Sequence, residues 1–137
     1  MTFLLDTNIV SELQKKRPNA FVLKWFESTR SADLYLSVLV LGEIRQGIER
    51  LRRREPARAN LYSVWMESLR RDFADRLLSV SEADALEWGR FAGAGTSVPP
   101  IDGLLAATAR VHDLTLVTRN VTDVARTGVV TLNPFEE

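Results

Sequence analysis

Cysteine is absent from the 137 residues, and histidine occurs once, as His112. The first absence excludes disulfides, thiolate metal sites and a cysteine nucleophile, and it fits a reducing compartment. The second excludes a multi-histidine zinc site. Neither sign of charge is in excess, because 18 basic side chains meet 18 acidic ones. A uniformly basic nucleic-acid binder is thereby ruled out. Any contact with a polyanion has to come from a local patch or from metal ions that supply positive charge. Long apolar runs are missing as well. Tyr35–Leu41 is the most apolar internal stretch, far below the roughly 18 residues of a membrane span. Near the N-terminus the apolar Thr2–Leu5 meets Asp6 before a signal-like segment can form. A soluble cytoplasmic protein without membrane association is expected.

The composition that remains, 45% hydrophobic and 26% charged, is that of an ordinary globular chain of a length that fits one domain. No repeat, low-complexity segment or linker interrupts it. Phe3-Leu4-Leu5 reads as a buried strand stopped by Asp6-Thr7-Asn8. Ile9 to Lys15 reads as a helix broken at Arg17-Pro18-Asn19, and Ala20 to Thr29 as a second, with Phe21, Val22, Trp25 and Phe26 at helical spacing. Leu34-Tyr35-Leu36 is a further strand, and Ser37 a good N-cap for a helix whose core stripe is Leu41, Ile44, Ile48 and Leu51. Pro56 opens a long helix with Leu61, Val64, Trp65, Leu69 and Phe73 on its apolar side. Leu77 to Val80 predicts a strand, and Ser81-Glu82 a helix through Ala85, Leu86 and Trp88 that ends at Gly93-Ala94-Gly95. Pro99-Pro100 launches an alanine-rich helix from Ile101 to Val111; Thr115–Thr118 and Val129–Leu132 follow as strands. Short apolar strands alternating with helices predict a parallel α/β sheet covered on both faces.

In such sheets ligands bind at the carboxyl ends of the strands. Asp6 follows the first strand directly, and Asn120 and Asp123 follow the Thr115–Thr118 strand, so they should share that edge. Glu43 begins from the same edge, early in the helix after Leu34–Leu36, flanked by apolar Leu41 and Ile44. Gly47 lies one turn further on the same row, where the missing side chain leaves room beside the carboxylate. A glycine in a helix interior costs about 1 kcal/mol, so a steric reason for it is expected. Asp102 falls in the first turn of the alanine-rich helix, with Ala106 and Ala109 continuing its row. Four carboxylates at one edge repel one another unless a cation sits among them, and hard oxygen donors without histidine or cysteine favour magnesium or manganese.

Taken singly, each acid has a structural reading. Asp6 and Asp102 suit helix N-termini, Glu43 suits a surface pair with Arg45 or Arg50, and Asp123 suits a solvated polar loop. The argument rests on the set.

That set, with its surroundings, resembles the PIN-domain ribonucleases. Leu4-Leu5-Asp6-Thr7-Asn8-Ile9-Val10-Ser11-Glu12 carries the likeness first, then Leu36-Ser37 leading to Gly42-Glu43-Ile44-Arg45-Gln46-Gly47. Pro100-Ile101-Asp102-Gly103-Leu104-Leu105-Ala106-Ala107-Thr108-Ala109 and Leu116-Val117-Thr118-Arg119-Asn120-Val121-Thr122-Asp123 continue it. Leu132-Asn133-Pro134-Phe135 resembles the ending of the FitB-type branch of VapC toxins. The resemblance implies a single PIN domain over residues 1–137, a three-layer α/β/α fold with a short, mostly parallel central sheet. It implies Asp6, Glu43, Asp102 and Asp123 as catalytic metal-site residues for Mg2+ or Mn2+, Thr118 as the hydroxyl supporting the first aspartate, and Asn120 beside the site. It further implies an endoribonuclease, a homodimer, and a small DNA-binding antitoxin whose tail blocks the site, with operator DNA contacted only through that antitoxin. Gly103 departs from the pattern, standing where relatives often carry a bulkier residue.

The reaction expected is RNA phosphodiester hydrolysis, in which metal orients a water, lowers its pKa and stabilises the leaving oxygen. Phosphate contacts need cations near this edge. Arg119 borders it, whereas Arg45, Arg50, Arg52, Arg53, Arg54 and Arg58 crowd one helix and its exit, as a solvated face commonly does. Trp25, Phe26, Trp65 and Trp88 are expected in the core, with apolar surface on the second and fourth helices left for a dimer or antitoxin contact. His112 is expected to cap the last carbonyls of its helix or to interact with the helix dipole. A haloacid-dehalogenase-like phosphatase needs an acid where Asn8 stands, and a receiver domain needs lysine where Arg119 and Asn120 stand. The stronger alternative is a PIN fold kept as a non-catalytic scaffold or protein-binding domain.

Overall fold

The computed structural model describes residues 1–95 and 97–136; Thr96 and Glu137 lie outside the described residues. Five short strands form the sheet: β1 (Phe3–Leu5), β2 (Leu34–Ser37), β3 (Leu77–Leu78), β4 (Thr115–Val117) and β5 (Thr131–Leu132). Their order is β3-β2-β1-β4-β5, and every neighbouring pair is parallel. Parallel strands covered on both faces read as unbroken apolar runs, and β1 and β4 are buried at every residue.

The chain steps outward from β1 to β2 and β3, then returns to the other side of β1 for β4 and β5. The gap between β1 and β4 is therefore the topological switch point, where a crevice opens beyond the strand ends. The register Leu5↔Val117 puts Asp6 and Thr118 side by side at that opening.

Seven helices complete the α/β/α layers: α1 (Thr7–Leu13), α2 (Ala20–Glu27), α3 (Val38–Arg52), α4 (Pro56–Asp72), α5 (Glu82–Gly93), α6 (Pro100–Val111) and the one-turn α7 (Val121–Val124). Local chemistry sets their starts. The Asn19 side chain accepts from the Phe21 and Val22 amides, and Ser37 Oγ accepts from the Leu39 amide at 3.0 Å. Ser81 and Asp84 form a reciprocal capping box, satisfying donors a helix end leaves free. Gly95, at φ 85°, supplies the left-handed turn after α5.

Several elements differ from the sequence reading. The first two helices end earlier than Lys15 and Thr29, and the Leu77–Val80 and Val129–Leu132 strands shorten to two residues each. The apolar side of α4 is misassigned at two positions, since Leu61 and Val64 are 72% and 66% exposed. The buried side runs instead through Ala59 and Met66, with Tyr62, Trp65, Leu69 and the following Phe73 packed on the core. The His112 side chain does not cap α6. Its backbone N–H does so, donating to Thr108 O, while Nε2 lies 3.6 Å from Asp84 Oδ1, a fully buried carboxylate on α5.

Trp88 is 37% exposed rather than core, and its place explains Gly103. A Cβ built on Gly103 would lie 3.1 Å from Trp88 Cδ1 and 3.3 Å from Nε1. The indole thus fills the space a side chain at position 103 would need, and α5 closes on α6 through that contact. Gly103→Val is expected to lower stability by about 2 kcal/mol through overpacking, read as a lower Tm. Trp88→Ala in the same chain should recover part of the loss, and an unchanged Tm in the single variant would contradict the packing.

Candidate functional site

Asp6 leaves β1 as the N-cap of α1 and is 5% exposed. Oδ1 accepts from the Thr7 amide at 2.7 Å; Oδ2 accepts from Thr118 Oγ1 at 2.7 Å and from Asn8 Nδ2 at 3.4 Å. Burial pushes its carboxyl above the ordinary aspartate range, with the Thr118 and Thr7 bonds pulling the other way. Thr118 is itself buried, and its hydroxyl oxygen also accepts from the Asn120 amide at 3.0 Å. The expected neighbours Thr118 and Asn120 are both at this edge.

Glu43, half-buried on α3, pairs with neither Arg45 nor Arg50. Its partner is Thr7, whose hydroxyl donates to Glu43 Oε1 at 2.5 Å. Thr7 therefore contacts two carboxylates at once, Asp6 through its amide and Glu43 through its hydroxyl. Asn8 makes a second tie, accepting from the Arg119 amide at 3.3 Å while donating to Asp6. Sequence reasoning passed over both residues. Their only signal was adjacency to Asp6, which does not tell a positioning hydroxyl from an ordinary first-turn residue.

Asp102 sits half-buried in the first turn of α6, where the helix dipole favours a charge. Its carboxyl is nonetheless raised to about 6, by desolvation first and then by repulsion from Asp6, Glu43 and Asp123. Acids from β1, α3, α6 and α7 are thus electrostatic neighbours. Asp123 lies exposed on α7 rather than in a loop. Among the described residues no three acidic or imidazole side chains are arranged to hold a metal ion as they stand. Asp102 is repelled by the other three acids, but the four do not close on one point.

The donor set fits a hard divalent cation. All four groups are carboxylates, no cysteine exists, and His112 sits against Asp84 at the far end of α6. Arg119 remains at the rim. Its guanidinium stacks 4.5 Å over the Phe135 ring rather than pairing with a loop acid. The charge of Arg119 reaches Glu12, whose carboxyl is lowered chiefly by its bond to Lys15. Gly47 lies with Glu43 and Thr7 along one groove, and a Cβ added there would meet nothing within 4 Å. The space beside the carboxylate anticipated from the sequence is there.

The Asp102 shift has a consequence for stability. A carboxyl raised on folding binds its proton more tightly in the native state, so its favourable contribution is full at low pH and fades as pH rises from about 4 to about 6. Above that window the charged form weighs against the fold. Screening by solvent reduces the effect to about 1 kcal/mol. In chelator at pH 7, Asp102→Asn should unfold at higher temperature than the unsubstituted protein, and the difference should vanish near pH 4. A lower Tm at pH 7 would contradict it.

Comparison with known proteins identifies the family of the fold. The PIN domain family model matches residues 3–128. The plasmid stability protein StbB of Pseudomonas syringae pv. tomato is 34% identical over 97% of this chain and 98% of its own. The toxin FitB of Neisseria gonorrhoeae is 31% identical over 98% and 99%. The crystal structure of FitAcB from Neisseria gonorrhoeae superposes with a TM-score of 0.90, at 31% identity over 99% of this chain and 100% of that one. The VapC ribonuclease Y4jK of Sinorhizobium fredii is 29% identical over 97% of both. In fold and in sequence, the chain belongs to the PIN-domain family.

Proposed function

We propose that the protein is a magnesium- or manganese-dependent endoribonuclease and the toxin of a type II toxin–antitoxin pair. The observation that carries this reading is the repulsion that Asp102 receives from Asp6, Glu43 and Asp123, acids supplied by separate segments of the chain. The names of its relatives, a toxin and a ribonuclease among them, support it. Residues 1–137 act as one PIN domain in the cytoplasm, as a homodimer. The partner is a small DNA-binding antitoxin whose tail covers the site, and operator DNA is reached only through that partner. Among the described residues no helix is long and apolar enough to cross a membrane.

Asp6 and Asp102 would hold the metal directly, Glu43 directly or through water, and Asp123 a second ion or a metal-bound water. When bound, the metal lowers the pKa of a water and neutralises charge gathering on the phosphodiester. The residues of the chain do the positioning. Thr118 and the Thr7 amide fix both oxygens of Asp6, and the Thr7 hydroxyl fixes Glu43. Arg119 offers a cation to a phosphate at the rim. Hydrolysis adds water across one P–O bond, leaving phosphate on one fragment and a hydroxyl on the other.

Purified protein should cut total RNA with magnesium or manganese and stop in chelator. Asp6→Asn and Asp102→Asn should each reduce cleavage by about 100-fold or more while still folding. Cleavage by both variants at the unsubstituted rate would sink the assignment. No cleavage with either metal would favour a scaffold role. Overexpression should arrest growth, and Asp6→Asn should relieve the arrest.

Thr7 gives a finer test. Thr7→Val keeps the volume but removes the donor, so cleavage and metal affinity should fall by about 10-fold or more. Thr7→Ser should stay within about threefold of the unsubstituted protein, since it keeps the hydroxyl. Metal affinity is read independently of activity, from the rise in Tm on titrating manganese. Equal affinity in all three proteins would show that the hydroxyl does not position Glu43.

A further inference from the structure

Of the four acids, Glu43 is the one that lines a groove. From Thr7 and Glu43 it runs between α1 on one side and α3 and α4 on the other, enclosing about 430 Å³. Gly47 forms part of its wall, Arg50 and Arg54 stand along it, and Arg58, Tyr62 and Trp65 line its outer part. A second hollow of about 490 Å³ shares Gln14, Arg58, Tyr62 and Trp65 with the first and carries the path on to Lys15 and Lys16. The two hollows make one continuous channel that begins at a carboxylate and leaves over cations and aromatic rings.

The charge here is unlike that of the whole chain. Positions 50–58 hold five arginines and one glutamate in a protein with no net charge. Some of these cations are committed: Arg52 to Glu49, Asn60 and Ser63, and Arg58 to Glu55 and the Tyr62 hydroxyl. Arg50 and Arg54 have no carboxylate partner among the described residues. They lie four positions apart, with Leu51 below them packed on the core, so the groove holds a short row of uncompensated positive charge. Cations alternating with aromatic faces along an open channel are the features that bind single-stranded nucleic acid.

We propose that this groove is the track along which single-stranded RNA reaches the carboxylates, its phosphates on Arg50 and Arg54 and a base against the Tyr62–Trp65 wall. The inference rests on the ribonuclease reading and deepens it. Gly47 then has a function as well as a location. It leaves the channel open one turn from Glu43, where an added side chain would project into empty space. The committed charge of the occupant is negative, which disfavours a neutral peptide. An acidic peptide is the competing occupant, and the aromatic wall beside the free arginines favours RNA over it.

The test uses the full-length chain in chelator, with a fluorescently labelled 10-nucleotide single-stranded RNA whose affinity is read by anisotropy at several salt concentrations. Arg50→Ala/Arg54→Ala should bind about 10-fold more weakly or worse, and the slope of log K against log salt should fall by about 1.4, as for two lost phosphate contacts on a single strand. With magnesium, the loss should appear in KM rather than kcat. Gly47→Leu should also lose RNA affinity while its Tm stays equal to or above that of the unsubstituted protein, because leucine is the better helix former. Gly47→Ala should bind nearly as well as the unsubstituted chain. If the unsubstituted protein cleaves RNA yet the arginine and Gly47→Leu variants bind it with unchanged affinity and slope, the track is wrong and the ribonuclease reading stands. If those variants keep RNA binding but lose a poly-glutamate peptide, the groove belongs to an acidic protein segment and the proposal is overturned. Absence of cleavage by the unsubstituted protein fails the ribonuclease reading itself.

Discussion

The hydrogen bond from Thr118 to Asp6 spans 112 positions of sequence and closes the junction between β1 and β4. Much of the site depends on it. The bond requires the Leu5↔Val117 register, because a slip of one residue would turn both side chains to the opposite face. With the register fixed, Asp6 is placed at the switch point and α1 starts from it, which brings Thr7 to Glu43 on α3. Helix α6 packs against β4 and α7, delivering Asp102 and Asp123 to the same space. A buried carboxylate resists ionisation, and here its position is secured by neutral donors rather than by a cation of the protein.

Strand positions were legible in the sequence because buried parallel strands are plain apolar runs, as at Phe3–Leu5 and Thr115–Val117. Three of the candidate acids stood out for a related reason, since Asp6 and Asp102 stand at helix starts and Asp123 lies just beyond β4, whereas Glu43 sits in the second turn of α3. Helix α4 was not. It packs mainly on α3 rather than on the sheet, so its buried side is narrow and is filled by Ala59 and Met66. Leu61 and Val64 continue an apolar row that looks equally suitable by spacing but faces solvent. Periodicity identifies a helix with an apolar row. It does not decide between two rows when the partner is another helix.

Side-chain partners were the least legible feature. Glu43 is followed in sequence by Arg45 and Arg50, which invited an ion pair, yet the tertiary contact supplied a threonine 36 positions away. Asp84 carried no signal beyond its place in the capping box, and it is fully buried with Oδ1 unpaired except for the 3.6 Å approach of His112. Gly103 is a bare departure from the family pattern in the sequence, and Trp88 lying against it supplies the reason. In each case the missing information is the identity of the element across the interface, which one-dimensional spacing does not contain.

Equal totals of acid and base conceal a separation of charge. Among the described residues no basic side chain pairs with the acids at the sheet edge, for Arg119 stacks on Phe135 and Arg50, Arg54 and Arg58 line the groove leading away from Glu43. Neutralising the pocket from within would have been simple, since one arginine reaching Asp102 would hold its carboxyl low rather than near 6. Such an ion pair would also block the approach of a polyanion to the acids. Keeping the two charges apart leaves the carboxylates for an external cation and the arginines for an external anion. A metal and a phosphate backbone meeting at Glu43 satisfy both ends of that separation at once.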